Sequence, residues 1–276
     1  MGSPLPLLSQ DKFQQTLRVG IEELSRQEET SEVSDLIHPD FEERCYAHYC
    51  ELRLWNPRIS LIGPGTAQEV IQRHYLEALA GLPWIVESVE GLKAERSKVE
   101  GLEVGRSKVE GLKEEQGVSE IDDPSSRATL VDLGSGGGFP AFVLAAARSD
   151  LEVFLVEPRQ KKWNFLRAAA RRSGLSYHCL DGKVGRLKAG HQVETTDLVT
   201  RLPAGLPESM DLVTSRALAL SKDQFQLLHR HSPKARFFLW QGEYEPDLGE
   251  ELRVLRSLRL AESRVRRVLE IIPREP

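Results

Sequence analysis

The chain has 276 residues, 40% of them hydrophobic and 29% charged, with a formal net charge of −5. That balance suits a globular protein with a sizeable core and argues against a wholly basic nucleic-acid binder, while leaving local basic patches open. Three cysteines without a CxxC pair give neither a disulfide framework nor a zinc spacing, and no apolar run reaches the length of a membrane span.

The opening residues, MGSPLPLLSQDKF, lack the basic start and long apolar run of a secretory leader, so a cytoplasmic setting is expected, with Cys45, Cys50 and Cys179 as reduced thiols. Residues 11 to about 85 read as helical. Phe41, Cys45, Tyr49, Leu52 and Trp55 recur on one helical face, with Asp40 as a cap and Asn56-Pro57 as the stop. Thr66 and Glu69 have capping-box spacing and open a second helix, which Gly81 and Pro83 close.

Three near-copies of a decapeptide follow: VEGLKAERSK from Val89, VEGLEVGRSK from Val99 and VEGLKEEQGV from Val109. A period of ten drifts around a helix, and each copy carries a glycine. The stretch reads as a duplicated surface insert, partly helical or flexible, with partner docking as the minority reading. The division expected is therefore a helical extension over 1–85, the insert over 86–124 and a ligand-binding domain over 125–276.

From Arg127 onward strands alternate with helices. TLVDLG, LEVFLVE, LSYHCLD, MDLVTSRA and ARFFLWQG read as strands, and PAFVLAAARS and QKKWNFLRAAARRSG as helices. A further helix runs from Ser221 to about Ser232, and two closing strands end the chain. Such alternation implies an α/β fold whose parallel sheet is covered on both faces, with a ligand crevice at the carboxyl ends of the strands.

Gly134, Gly136 and Gly138 stand directly after the first of these strands. Glycine serves where the backbone must take positive φ or approach a ligand. A dinucleotide fingerprint would place a glycine at Phe139, so the turn departs from that pattern. It suits S-adenosylmethionine better, because no pyrophosphate needs cradling. Glu157, at the tip of the second strand, can accept hydrogen bonds from the ribose hydroxyls of an adenosine.

Four stretches together resemble the RsmG (glucose-inhibited division protein B, GidB) methyltransferases: ELRLWNPRISLIG, RHYLEAL, VDLGSGGGFPAFVLA and DLVTSRALA. The resemblance runs from about Glu42 to the C-terminus, apart from the repeat. It implies a Rossmann-like class I methyltransferase sheet with an N-terminal helical extension. The implied activity is transfer of a methyl group from S-adenosyl-L-methionine to guanine N7 of 16S ribosomal RNA in the small ribosomal subunit. It further implies cofactor contacts at Gly134, Phe139, Arg216 and the pair Val184-Gly185, which would frame the adenine. Three positions depart from the family: Gly185 replaces an acid, Ala141 a glycine, and Gln241 a lysine. A relative with weakened turnover is thus one alternative reading, and a small-molecule methyltransferase is another.

In-line displacement on an unprotonated N7 asks for alignment more than acid–base help, so neither a triad nor a metal is expected. Arg216 is singled out as the catalytic candidate, since its guanidinium could hydrogen-bond the cofactor, the guanine or a phosphate. His74 could line the cleft, although a packing role is favoured, as it is for Trp55 and Tyr75. Arg159, Lys161, Lys162, Arg167, Arg171 and Arg172 form one basic run. Lys183, Arg186 and Lys188 follow it, and Arg253, Arg256, Arg259, Arg264, Arg266 and Arg267 form a C-terminal run. They are read as an RNA surface on a monomeric protein with no membrane partner.

Overall fold

The structure is a computed structural model and describes residues 2–104, 127–182, 184, 202–260, 263 and 265–274. Helix α1 (Gln10–Leu24) starts at Ser9, whose side chain accepts from the Lys12 amide, and buries Phe13, Leu17, Ile21 and Leu24. A short helix α2 (Val33–Leu36) leads to α3 (Phe41–Ile59). The expected face of α3 is buried at Phe41, Cys45, Tyr49 and Leu52, joined by His48 and Asn56. Trp55 is only half-buried, against Phe165.

Two expectations for α3 need correction. Asp40 makes no side-chain cap; its carboxylate instead faces Arg44 at 3.3 Å. Asn56-Pro57 does not stop the helix, which continues to Ile59. Pro57 lies in the last turn, where its missing N–H forgoes a single bond to the carbonyl four residues back, and Ser60 N still bonds Asn56 O at 3.0 Å. Asn56 then ties down the exit: its Oδ1 accepts from the amides of Leu61 and Ile62 at 2.8 and 2.9 Å.

The capping box of Thr66 and Glu69 is formed and opens α4 (Ala67–Val70). A π-helical stretch (Ile71–Leu76) and α5 (Glu77–Leu79) continue it. Helix α6 (Leu82–Val104) passes through Pro83 near its start, where the missing amide costs little, and runs across the 85/86 position. The first decapeptide copy is docked. Val89 is buried, Lys93 pairs with Asp150 at 2.7 Å, and Arg96 pairs with Asp211 at 2.9 Å while donating to the Arg127 carbonyl at 3.1 Å. The copies from Val99 and Val109 lie partly and wholly outside the described residues.

The strands are β1 (Ala128–Leu133), β2 (Leu151–Val156), β3 (His178–Leu180), β4 (Leu212–Arg216), β5 (Arg236–Gln241), β6 (Leu252–Arg259) and β7 (Arg267–Pro273). They form one sheet in the order β3-β2-β1-β4-β5-β7-β6. The first five are parallel, and β7 enters antiparallel to both β5 and β6. The connection between β6 and β7 is too short for a crossover helix, so that pair must be antiparallel. Helices α7 (Ala141–Ala147), α8 (Gln160–Ser173) and α9 (Lys222–His231) are the crossovers. Gly174 ends α8 in the left-handed conformation, and a Ser221–Gln224 capping box opens α9.

Two apolar cores flank the sheet. One face packs Leu130, Phe142, Phe165 and Phe238 with Phe13, Tyr49 and Tyr75 of the N-terminal helices. The other packs Val131, Leu133 and Phe237 with Phe225 of α9. The N-terminal helices therefore share the core on one face of the sheet with α7 and α8. This is the Rossmann-like fold with an N-terminal helical extension that the resemblance implied. No described helix is long and apolar enough to cross a membrane.

Candidate functional site

Parallel register brings the carboxyl ends of four strands level. Leu133 pairs with Val156 on one side and Ser215 on the other, and Ser215 pairs with Leu239. The glycine turn leaves β1 at this edge, with positive φ at Gly134 (+77°), Gly136 (+53°) and Gly138 (+86°). At the first two a Cβ would meet its neighbours only at ordinary van der Waals distance. A Cβ on Gly134 would come no closer than 3.4 Å to Leu218, and one on Gly136 no closer than 3.6 Å to any atom, with Lys162 Nζ at 3.7 Å. Gly138 faces inward, where a Cβ would meet Phe142 Cβ at 3.1 Å and His48 Nε2 at 3.2 Å.

Glu157 stands at the tip of β2, as expected, but its carboxylate is already engaged. Oε2 accepts from Gly136 N and Oε1 from Arg159 N, both at 2.9 Å. The acid thus braces the turn, and each oxygen keeps acceptor capacity for a second donor. Beneath it lies Asp132, 1% exposed. Its Oδ1 accepts from Thr214 Oγ1 at 2.7 Å, and its Oδ2 has no hydrogen-bond partner. Burial pushes the carboxyl up to about 7.

Phe139 is buried with its ring against His48, His74 and Tyr75, so its side chain joins the turn to the N-terminal helices. His48, wholly buried, lies on Phe142 with centroids 4.0 Å apart. Its Nε2 is 3.0 Å from Gly137 O and its Nδ1 2.8 Å from Tyr75 Oη. Burial drives its pKa down to about 3, so the ring is neutral. A carbonyl only accepts, so Nε2 carries the proton and Nδ1 accepts from Tyr75.

Arg216, at the end of β4, is drawn into an ion cluster. Its Nη2 donates to Arg73 O at 2.5 Å and lies 3.4 Å from Glu77 Oε2, while Nη1 is buried without a hydrogen-bond partner. Arg266 approaches the other oxygen of Glu77 at 2.6 Å. Burial raises the Glu77 carboxyl and lowers Arg216, against the mutual attraction of the pair. His74 sits beside this cluster, held neutral near 3 by burial and then by Arg216. The next residue along β4, Ala217, takes φ +56°, a strained value for a residue with a Cβ. Val184 is buried, and its carbonyl accepts from Gln224 Nε2 at 3.1 Å. Gly185 lies outside the described residues, as do Lys183, Arg186, Lys188 and Arg264.

The basic runs divide. Arg256 is bound to Glu270 and Glu87, Arg266 to Glu77, and Arg267 to Glu245. These three C-terminal arginines, read as part of an RNA surface, are therefore spent within the protein. On and before α8, Arg159, Lys161 and Arg171 are exposed and have no ion pair among the described residues, and Arg167 lies over Trp163. Arg172 pairs with Glu51 at 3.1 Å. No cluster of metal-ligating side chains occurs among the described residues.

Sequence reasoning missed Asp132, His48 and Glu77. Asp132 had a signal, since an acid inside a buried strand is costly unless it has a task. Glu77 lay in a quoted motif, but its partners Arg216 and Arg266 are too far along the chain to be inferred. His48 looked like one more residue on a helical face.

The family described as rRNA small subunit methyltransferase G (GidB) matches residues 116–268. Similar curated proteins carry the name ribosomal RNA small subunit methyltransferase G. That of Desulfotalea psychrophila is 30% identical over 50% of this chain and 48% of its own length. That of Paracoccus denitrificans is 32% identical over 62% and 68%, and that of Cupriavidus pinatubonensis 27% identical over 78% and 73%. The matched region thus spans from about half to about three quarters of these relatives.

Proposed function

We propose, for a chain that belongs to the GidB family of rRNA small subunit methyltransferases, that it moves the methyl group of S-adenosyl-L-methionine to N7 of a guanine in 16S ribosomal RNA. The observation that carries this reading is the cradle at the strand ends. Gly134 and Gly136 turn at positive φ without close crowding, and Glu157 beside them can still accept from two hydroxyls. A floor without side chains beside an acid suits an adenosine. The buried Nη1 of Arg216 is a donor in want of an acceptor, which suits a polar or anionic group of the cofactor or of the base.

Gly134, Gly136, Gly138, Phe139, Glu157, Val184, Gly185 and Arg216 would hold the cofactor, and Arg216 would also serve as the catalytic residue. When bound, S-adenosylmethionine supplies an electrophilic sulfonium methyl. Guanine N7 offers a lone pair and no proton, so the protein's own work is to orient the two partners and exclude water. Arg159, Lys161, Lys162 and Arg171 would meet phosphates of the small ribosomal subunit.

The test is transfer of tritiated methyl to 30S particles and to naked 16S RNA. Borohydride reduction followed by aniline scission would then locate N7-methylguanosine. Label at guanine N7 is the expected result, and cofactor binding without transfer to either substrate would refute it. A second reading, a relative with weakened turnover, draws on Gln241. This neutral side chain stands where the family carries lysine, and its Nε2 is engaged by Tyr244 O.

A further inference from the structure

A glycine-rich turn is the costliest kind of backbone to order, because glycine gives up the most conformational freedom on folding. Residues 134–138 include four glycines, so their shape must be imposed from outside. Most of the restraints come from the sheet itself. Gly134 N and Ser135 N both donate to Val156 O, Gly136 N donates to Glu157, and Gly138 N donates to Ser135 O within the turn. Gly137 O is held differently. Its partner is His48 Nε2, and His48 belongs to α3, far from the sheet in sequence.

That contact is built to be firm. His48 is wholly buried and lies against Phe142; the Gly137 carbonyl fixes its tautomer, and Tyr75 Oη donates to the second nitrogen and holds the ring in place. Tyr75 is itself fully buried, at the edge of Phe13 and Phe139. The same α3 holds the loop at Leu61 and Ile62 through Asn56, and a Cβ on Gly137 would meet that loop at 3.4–3.6 Å. The N-terminal helices therefore grip the turn at Gly137, while Glu157 holds it at Gly136.

We propose that His48 is a positioning residue for the cofactor turn, oriented by Tyr75, and that through it the N-terminal helices set the affinity for S-adenosylmethionine. The cofactor's identity rests on the function proposed above; the grip on the turn does not. Three variants of the full chain separate the contributions. His48→Phe keeps a ring on Phe142 but has no donor, His48→Gln restores an N–H toward Gly137, and Tyr75→Phe leaves the second ring nitrogen without the donor that orients the ring.

In the ligand-free protein, amide exchange across 134–139 should quicken about tenfold or more in His48→Phe, the loss of one buried hydrogen bond. Calorimetry should show a comparable weakening of S-adenosylmethionine binding. The KM for the cofactor should rise while the KM for RNA stays unchanged, and His48→Gln should recover most of both effects. A folded His48→Phe whose turn exchange and cofactor affinity stay within about twofold of the parent overturns the proposal. If that variant does not fold, Tyr75→Phe decides it by the same two readouts. Should the parent chain fail to bind S-adenosylmethionine, the proposed function falls, and the exchange data alone decide the grip.

Discussion

Gly136 and Gly138 lie two residues apart on opposite faces of one turn, and alanine should affect them in opposite ways. Alanine at Gly138 must take φ +86° and set its Cβ 3.1 Å from Phe142 Cβ and 3.2 Å from His48 Nε2. A left-handed residue with a Cβ costs about 1–2 kcal/mol, and crowding against atoms that cannot swing away adds about 1–3 kcal/mol. The gain from a less flexible unfolded chain returns only about 0.4–1 kcal/mol. Gly138→Ala should therefore lose roughly 2–3 kcal/mol, read as a lower urea midpoint at unchanged slope. Alanine at Gly136 carries the left-handed cost alone, since its nearest neighbours lie at 3.6 and 3.7 Å and one of them is the mobile tip of Lys162. Its net loss should stay under about 1.6 kcal/mol. The new methyl would nonetheless project into the face proposed for the adenosine, and calorimetry should show binding of S-adenosylmethionine at least about tenfold weaker. A Gly136→Ala protein that binds the cofactor like its parent, or that is less stable than Gly138→Ala, would refute this assignment of the two faces.

Other perturbations test the electrostatics. His48 is held near 3 in the folded state, against about 6.5 when unfolded, so the unfolded chain binds the extra proton below about pH 6.5. Its contribution to stability is present above that pH and is lost as pH falls toward 3. Urea titrations from pH 7 to 4 should show a slope about 1.4 kcal/mol per pH unit shallower in His48→Phe. Asp132 has the opposite sign. Its carboxyl is raised to about 7, so its contribution is present below about pH 4 and is lost as pH rises through 7. Asp132→Asn should gain stability relative to the parent across that window, by at most about 4 kcal/mol, and a constant difference would contradict the burial argument. Reversing Lys161 and Arg171 to glutamate should leave cofactor binding intact. The plot of log affinity for RNA against log salt should flatten by roughly 0.7–0.9 for each phosphate that is no longer neutralised; an unchanged slope would remove α8 from the RNA surface.

Much of this site is legible in the sequence, for local reasons. The capping box at Thr66 and Glu69, the strand before Gly134 and the left-handed stop at Gly174 depend on neighbours a few residues away. Gly134, Gly136 and Glu157 are legible because a turn and a strand tip leave periodic signatures. Glu157's bond to Gly136 N is not, since nothing in the spacing says that the acid braces the turn. Pro57 misleads because its position within the last turn of α3, rather than its identity, decides whether a helix stops. Arg256, Arg266 and Arg267 look like a surface until Glu270, Glu77 and Glu245 meet them from elsewhere in the chain. Charge is countable in a sequence, but its neutralisation depends on which distant segments are folded together.

Arg96 donating to the carbonyl of Arg127 has one more effect. Helix α6 and the start of β1 meet at this spot, and Asp211 fastens both by accepting from Arg96 and from Thr129 N. That clasp lies at the amino ends of the strands, so the length of the sheet separates it from the cradle proposed at their carboxyl ends.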